Sequence, residues 1–167
     1  MSGIFPKEFE NKKKALKILI LGPYVPPSAE KRLSKLRDCL RSHGYDNAQI
    51  VKDFSNRPRY DKDLDTHFTL KSEDKIRNWA DVLIFVFMRE ASPLGVWAEL
   101  QFTTDFVEGK IHNSIDLHEE GATSSTQTRG RLKISRMDSN EFRGDYQLCT
   151  KAVAFCTKIT YMNLWKS

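Results

Sequence analysis

Apolar residues form one uninterrupted run near the middle of the chain, from Val82 to Met88. A run of this length, rich in β-branched and aromatic residues, predicts a strand that is covered on both faces, as in a parallel sheet. Ser92 and Pro93 then predict a helix start, because Ser is a favoured N-cap and Pro is tolerated at the first helical position. Apolar residues recur at helical spacing up to Gly109, which predicts the end of that helix.

The rest of the chain repeats this alternation of strand and helix. Further strands are predicted at Leu16–Leu21, at Ala48–Lys52, within Ile111–Leu117 and at Leu132–Ser135. Further helices are predicted from Ser28 to about His43, over Glu73–Trp79 and over Phe142–Tyr161. Residues 1–14 are predicted to be a flexible N-terminal segment, and residues 15–167 a single α/β domain. The alternation and the right-handed crossover rule predict a flavodoxin-like (Rossmann-like) three-layer sandwich with a mainly parallel five-stranded sheet.

Two polar stretches, Asp53–Thr69 and Glu119–Gly130, are long for connections inside a compact domain. Long loops of this kind are usually functional or disordered. The first contains side chains suited to ligand contact: Arg57, Arg59, Tyr60 and His67. No role can be assigned to either stretch from the sequence.

Glu99 is an unusual residue for its position in the helix predicted after Ser92 and Pro93. It lies between Val96 and Leu100, on or beside the face that packs on the sheet. A carboxylate there costs free energy unless it has partners or reaches solvent at the edge of the apolar stripe. The alternative is a carboxylate at the carboxyl end of a strand, where open α/β sheets bind ligands. There it would suit nucleophilic catalysis of the kind used by glycosidases.

Charge and hydropathy argue against two classes of partner, nucleic acids and membranes. Of the 167 residues 29% are charged, and the net charge is +5. The basic residues are scattered apart from Lys12–Lys14, and no nucleic-acid-binding motif is present, which makes a nucleic-acid partner unlikely. No apolar run approaches the roughly 20 residues of a membrane span. The N-terminal residues lack the apolar core of a secretory signal, so we expect no membrane partner and a cytoplasmic location.

The cysteines and histidines indicate no metal site. The three cysteines are Cys39, Cys149 and Cys156, and this odd, low count without metal-ligand spacing argues against a disulfide framework and a zinc site. Cys149 and Cys156 are predicted to be small core residues. His118 precedes two glutamates, but no second ligand cluster accompanies it. We therefore expect no metal and no other cofactor.

Four segments together resemble one enzyme family. They are a first strand that ends in a Gly-containing loop (Lys17–Pro23), an acidic residue before a short helix (Glu73–Asp81), a small-residue turn followed by Gly-x-x-x-Glu-Leu (Ser92–Leu100), and Glu108–Lys110 before a strand. They resemble the nucleoside 2-deoxyribosyltransferases and the related deoxynucleoside 5′-monophosphate N-glycosidases. The resemblance is loose over residues 16–118 and close over residues 73–110.

This resemblance implies an activity and a set of site residues. Glu99 would attack the anomeric carbon of a deoxyribosyl unit and displace the base, and water or a second base would then resolve the ester. Glu73, with Asp74 as its neighbouring candidate, would be the second acidic group of the site. The substrate-binding residues implied are Gly22, Pro23 and Tyr24 on the sugar side, Ser92 and Gly95 for a hydroxyl or 5′-phosphate, and Trp97, which would reshape the pocket. A homo-oligomer and a nucleoside or nucleotide substrate are implied as well.

The chain departs from the family at several positions. The transferases carry an Asp where this chain has Ser92-Pro93-Leu94, and a Ser in this region is typical of the monophosphate hydrolases. The hydrolases have a Gly- and Arg-rich first loop, whereas this loop is Pro-rich, with Lys31 and Arg32 only further on. Two alternatives therefore stay open. One is a nucleotide-sensing domain without catalysis, and the other is a Toll/interleukin-receptor-like domain that cleaves NAD.

Overall fold

A computed structural model describes residues 4–54, 64–96, 98–99, 113–122 and 141–166 of the chain. The strands are β1 (Ile18–Leu21), β2 (Ala48–Ile50), β3 (Val82–Phe87), β4 (Asn113–Glu119) and β5 (Glu141–Phe142). The helices are α1 (Ile4–Ala15), α2 (Pro27–Ser42), α3 (Leu64–Asn78), α4 (helical at residues 94–96 and 98–99) and α5 (Gly144–Trp165). A short 3₁₀ helix covers Val51–Asp53.

The five strands form one sheet in the order β2-β1-β3-β4-β5, and every pairing is parallel. This order is that of flavodoxin-like doubly wound folds, so the predicted fold class is confirmed. In the register of the sheet Ile20 pairs with Ile84, and Phe85 pairs with Asp116. The four residues of β1 and the six of β3 are all buried, as expected for strands with neighbours on both sides and helices on both faces.

Alternate residues of the central strands enter two separate apolar layers. On one face α2 and α5 cover the sheet, with Leu33, Leu36 and Leu40 of α2 fully or almost fully buried. On the other face Ile76 of α3 and Val96 of α4 pack over the odd-numbered residues of β1 and β3. Each fully buried Leu or Ile contributes about 1.5–3 kcal/mol, so these two layers stabilise the three-layer arrangement.

The N-terminal segment differs from its prediction. Residues 4–14 of the segment predicted to be flexible lie in α1 (Ile4–Ala15), which packs against α5. The ring of Phe9 lies 4.6 Å from that of Tyr161, and the ammonium group of Lys13 lies over the ring of Tyr45. The lysine run that suggested a solvated tail instead occupies the last turn of the helix, where cations are favoured by the helix dipole.

Several element boundaries also differ. Helix α3 begins at Leu64, well before the predicted Glu73, because it incorporates the end of a stretch that the sequence suggested was irregular. The predicted strand at Leu132–Ser135 lies outside the described residues, and the fifth strand of the described sheet is Glu141–Phe142. Most of both polar stretches, the helix end at Gly109, and the side chains of Arg57, Arg59, Tyr60 and His67 also lie outside the described part. Within that part, none of the helices is both long and apolar enough to cross a membrane.

The cysteines correct a further expectation. Cys39 of α2 and Cys149 of α5 are joined as a disulfide, although the count of three had argued against such a bond. The third cysteine, Cys156, is fully buried, as predicted for a small core residue. The bond links two helices that are 110 residues apart in sequence, which no local spacing indicates.

Candidate functional site

The strand order places a topological switch point between β1 and β3, where doubly wound sheets have a ligand-binding crevice. The chain runs from β1 to β2 on one side and reaches β3 on the other, so the direction of winding reverses between these two strands. Open α/β sheets bind their ligands at such a switch point, beyond the carboxyl ends of the strands. Residues Gly22–Tyr24 follow β1 there, and the segment that leads into α4 follows β3.

Glu99 of α4 lies beside this crevice. Val96, one turn earlier, is buried against the sheet, and Glu99 shares that side of the helix. The residue keeps some exposed surface, but its carboxyl group is largely removed from solvent. Burial raises the pKa of this carboxyl group from the ordinary 4.5 to about 7, and a hydrogen bond with the Ser72 side chain acts in the opposite direction. Both the protonated and the ionised form of Glu99 are therefore accessible near neutral pH.

Ser72 explains why a carboxylate is tolerated at this place. Its side chain is almost fully buried on α3, one turn before the core residue Ile76. A buried carboxylate is destabilising without a hydrogen-bond donor, and a Ser hydroxyl provides one. The sequence pattern did not reveal this role of Ser72, because its pairing with Glu99 joins two helices that the pattern cannot align.

Tyr24 forms the opposite side of the crevice. Its hydroxyl oxygen accepts a hydrogen bond from the backbone N–H of Val51 at 2.9 Å, which anchors the ring beneath the end of β2. Burial raises the pKa of Tyr24, and the negative charge of Glu99 raises it further, so the two groups lie within electrostatic reach. Of the predicted sugar-side residues, Tyr24 is the one that the structure brings near Glu99.

Gly22 has a structural role that was not predicted. A Cβ atom at this position would lie 2.7 Å from a methyl carbon of Leu33 and 3.4 Å from the carbonyl oxygen of Val86. The backbone at Gly22 therefore lies close against α2 and β3. Pro23, next in the chain, is half-buried between Gly22 and Tyr24.

The turn before α4 is largely open to solvent. Ser92 and Gly95 are exposed, and the hydroxyl oxygen of Ser92 lies 3.4 Å from the backbone nitrogen of Leu94, the first helical residue. A Cβ atom on Gly95 would meet nothing within 4 Å. Both residues thus remain accessible to a ligand, and Trp97 lies outside the described residues.

The two acidic candidates on α3 occupy different positions. Asp74 is exposed, accepts a hydrogen bond from Asn78 at 2.9 Å and pairs with Lys75 at 3.5 Å. Glu73 is half-buried. It is their neighbour Ser72, rather than Asp74, that contacts Glu99, and the role of Glu73 stays a prediction.

Asp116 was missed by sequence reasoning. It pairs in register with Phe85, whose side chain lies in the layer formed with α3 and α4, so Asp116 is directed to the same face of the sheet as Glu99. Its neighbour on that face, His118, stacks on Phe87 with 4.4 Å between the rings. Burial raises the pKa of Asp116 to about 6. The sequence signal for Asp116 was the alternation of polar and apolar residues along β4. A strand that is buried on both faces is usually apolar throughout.

A cluster of ion pairs lies at the carboxyl ends of β3 and β4. Arg32 of α2 contacts Glu119 at 3.0 Å, Glu90 at 3.1 Å and Asp145 at 2.8 Å. Glu119 also accepts a hydrogen bond from the backbone N–H of Arg89 at 2.9 Å. Burial opposes ionisation of Glu119, but these donors outweigh it and hold its pKa below the usual range. The cluster joins two strands and two helices at the edge of the sheet where ligands bind.

This cluster changes the interpretation of Arg32. In the sequence, Lys31 and Arg32 are the basic residues nearest the first loop, and positive charge there would favour binding of a phosphate. Three carboxylates already surround the Arg32 guanidinium group, so its charge is neutralised within the protein. Glu119 and Glu120 are likewise engaged, by Arg32 and Arg143 respectively, which leaves neither available for a metal beside His118.

Comparison with family models, with curated proteins and with solved structures yields no match for this chain. The functional argument therefore depends on the motifs of the sequence and on the geometry around Glu99.

Proposed function

We propose that this protein cleaves or transfers the N-glycosidic bond of a (deoxy)nucleoside or nucleotide, with the Glu99 carboxylate as nucleophile. The observation that carries the proposal is the position of a largely desolvated carboxyl group at the β1/β3 switch point, next to Ser72 and Tyr24. This is the position that the resemblance of residues 73–110 to the deoxyribosyltransferases implies for a nucleophile.

The proposed reaction has two steps. An oxygen of ionised Glu99 bonds to the anomeric carbon while the bond from that carbon to the base nitrogen breaks, and the base leaves with the electron pair and takes up a proton. Water, or the nitrogen of a second base, then displaces Glu99 from the glycosyl ester. The raised pKa fits this cycle, because a carboxylate of higher basicity is a stronger nucleophile once it is deprotonated.

The departing base requires an acid, and two residues are candidates. Glu73 is implied by the resemblance, and Asp116 is supported by its pKa of about 6 and its placement on the face of the sheet nearest Glu99. A 7-methylated purine nucleoside distinguishes an acid from a structural residue, because its cationic base leaves without protonation. Replacement of the true acid, in Asp116→Asn or Glu73→Gln, will slow cleavage of ordinary nucleosides much more than cleavage of the methylated one.

The substrate is proposed to be an unphosphorylated nucleoside in preference to a 5′-monophosphate. The support is the neutralisation of Arg32 by Glu90, Glu119 and Asp145. Because Arg32 is already paired with carboxylates, a 5′-phosphate would depend on the backbone N–H groups at the start of α4.

The decisive experiment measures base release by chromatography. Deoxynucleosides, their monophosphates, ribonucleotides and NAD are incubated with the protein, with and without a second free base. We expect base release by the native protein and a loss of at least about a thousandfold in Glu99→Gln. Glu120→Gln, an exposed carboxylate paired with Arg143, is the matched control and will retain activity. Undiminished release by Glu99→Gln would exclude Glu99 as the nucleophile, and NAD cleavage alone would favour the Toll/interleukin-receptor-like alternative.

A second candidate function is nucleotide sensing without cleavage. The feature that favours it is the departure from the family at Ser92-Pro93-Leu94, and a protonated Glu99 carboxyl could donate a hydrogen bond to a bound base or sugar. A rise in the thermal unfolding midpoint with nucleosides, in the absence of any product, would support this function.

We propose a homo-oligomer because the family resemblance implies one. In that family a neighbouring chain can complete the site. Size-exclusion chromatography with light scattering measures the number of chains directly. A monomer that releases base would show that each chain forms a complete site.

A further inference from the structure

A cluster of two cysteines and a histidine lies on the face of the sheet opposite Glu99. Cys39 and His43 occupy positions i and i+4 of α2 and its C-terminal end, and Cys149 faces them from α5. One ligand atom from each of the three side chains lies within 4.8 Å of the other two. Both cysteines are half-buried and His43 is exposed, so the cluster is open to solvent on one side.

The spacing of these atoms fits a tetrahedral metal ion. Two sulfurs that each lie about 2.3 Å from a tetrahedral zinc ion are separated by about 3.8 Å. The Cα atoms of the two cysteines are 6.2 Å apart, and the Cys39 sulfur is 3.8 Å from Nδ1 of His43. Small rotations of the cysteine side chains about their χ1 angles are therefore enough to exchange a direct sulfur–sulfur bond for two bonds to a shared cation.

The histidine ring is held in place by the backbone. Nδ1 of His43 lies 2.8 Å from the carbonyl oxygen of Cys39, to which it donates when it carries the ring proton. In the reduced protein we expect the ring proton to lie on Nε2, so that Nδ1, the nitrogen 3.8 Å from the Cys39 sulfur, binds the metal through its lone pair. Two thiolates and one imidazole are a ligand set that occurs at zinc sites, and it leaves the fourth position to water.

We propose that the reduced protein binds one Zn²⁺ ion through Cys39, His43 and Cys149, and that the disulfide is the metal-free, oxidised form of the same site. In the forward direction two equivalents of a small thiol reduce the Cys39–Cys149 bond and become a small-molecule disulfide. The two protein thiols then lose their protons and bind the cation as thiolates. Oxidation by a small-molecule disulfide reverses these steps and releases the ion.

The site joins the two helices on one face of the domain. Three contacts follow one another along the α2–α5 contact: Arg32 with Asp145, Cys39 with Cys149, and Tyr45 with Thr157. Either the disulfide or the metal occupies the middle of this contact. The reduced protein without metal has neither, so we expect the lowest thermal unfolding midpoint in that state.

The test is a titration with Co²⁺, which reports thiolate ligation through a charge-transfer band. The full chain, reduced with a phosphine that does not bind metals, is expected to develop this band with one equivalent of Co²⁺, together with the intense visible bands of a tetrahedral ion. Zn²⁺ is expected to displace the cobalt. The oxidised protein serves as an internal comparison and should show no band.

Single variants assign the ligands. Cys39→Ser and Cys149→Ser are expected to weaken binding at least about tenfold and to reduce the charge-transfer intensity, and His43→Gln to weaken binding by a similar factor while both thiolates still bind. Cys156→Ala removes the remaining cysteine and should leave the titration unchanged. Circular dichroism verifies that each variant is folded. Absence of the band in the reduced native protein, or its persistence at full intensity in Cys149→Ser, would overturn the proposal.

Discussion

The side chain of Ser72 on α3 hydrogen-bonds the carboxyl group of Glu99 on α4. The two residues come from helices on either side of β3 in the sequence, and both helices cover the same face of the sheet. Burial is the main cause of the raised pKa of Glu99, and the contact with the almost fully buried Ser72 opposes it and helps to fix where the carboxyl group lies.

Removing the Ser72 hydroxyl should raise the pKa of Glu99 further. A single hydrogen bond to a carboxylate is worth about 1.5–3 kcal/mol, which corresponds to about 1–2 pKa units. Titration of the Glu99 carboxyl carbon by NMR in Ser72→Ala, compared with the native protein, measures this rise. Ser114→Ala, an exposed change on β4, is the control, and an unchanged Glu99 pKa in Ser72→Ala would show that the bond does not stabilise the ionised form.

The pH dependence of base release should follow the ionisation of Glu99. With a 7-methylated purine nucleoside, which needs no acid, kcat/KM should rise with pH through a midpoint near 7, the pKa of the Glu99 carboxyl group. At pH 5 it should be about a hundredfold below its plateau. An increase in activity as the pH falls below 7 would indicate that Glu99 acts as an acid and not as a nucleophile.

Stability should also depend on the Glu99 proton. Its pKa is about 7 in the folded protein and about 4.5 when exposed, so the folded state retains the proton longer and loses stability as the pH rises from about 4.5 to 7. Glu99→Gln removes this loss and should be about 1–3 kcal/mol more stable than the native protein at pH 8. Urea unfolding at pH 4.5 and pH 8 measures the difference. Equal effects at both pH values would mean that the carboxyl group is not desolvated.

Arg32 should be far more important for stability than its surface neighbours. Arg32→Met leaves Glu119 buried without its cation, which should cost about 3 kcal/mol, and the double variant with Glu119→Gln should recover much of that loss. Lys31→Met, an exposed cation on the same helix, is the control. The pKa of Glu119 is lowered in the folded protein, so this stabilisation is present above its ordinary pKa of 4.5 and declines as the pH falls below it. A small effect at neutral pH would contradict the network.

Gly22→Ala should be destabilising through one identified clash. The added methyl would lie 2.7 Å from a Leu33 methyl carbon, and displacement of that flexible side chain should cost about 1 kcal/mol. Leu33→Val creates space, so the double variant should lose less than the sum of the single changes. Gly95→Ala, where nothing lies within 4 Å, is the matched control. Strict additivity of Gly22→Ala and Leu33→Val in a denaturant series would rule out the contact.

The central elements were predictable because their patterns are local. The apolar run of β3 and the Leu33, Leu36 and Leu40 stripe of α2 each identify an element from a few residues, and alternation of such elements restricts the fold to a few topologies. The helix α1 was missed because its lysine run resembles a solvated tail, and its stabilising partner, Tyr161, is near the other end of the chain.

The candidate site was predictable only in part, for the same reason. Glu99 was identified because a charge interrupts an apolar stripe within a single helix. Its contact with Ser72, the engagement of Arg32 by three carboxylates, and the Cys39–Cys149 bond all join residues that are far apart in sequence. The periodicity of the sequence does not identify such pairs. The face of the sheet on which Asp116 lies became known only from the register of β4 against β3.

The position of β1 between β2 and β3 has a consequence for how the chain folds. Both edges of β1 carry hydrogen bonds, and the partner on one side, β3, begins more than 60 residues later in the chain, at Val82. During synthesis the first strand, its helix and β2 are complete well before β3 exists, so the backbone N–H and C=O groups on one edge of β1 lack their partner strand until then. Folding to the native sheet must then follow the appearance of β3, and long-range closure of this kind slows folding. This interval is where a chaperone, or aggregation, would act on the nascent protein.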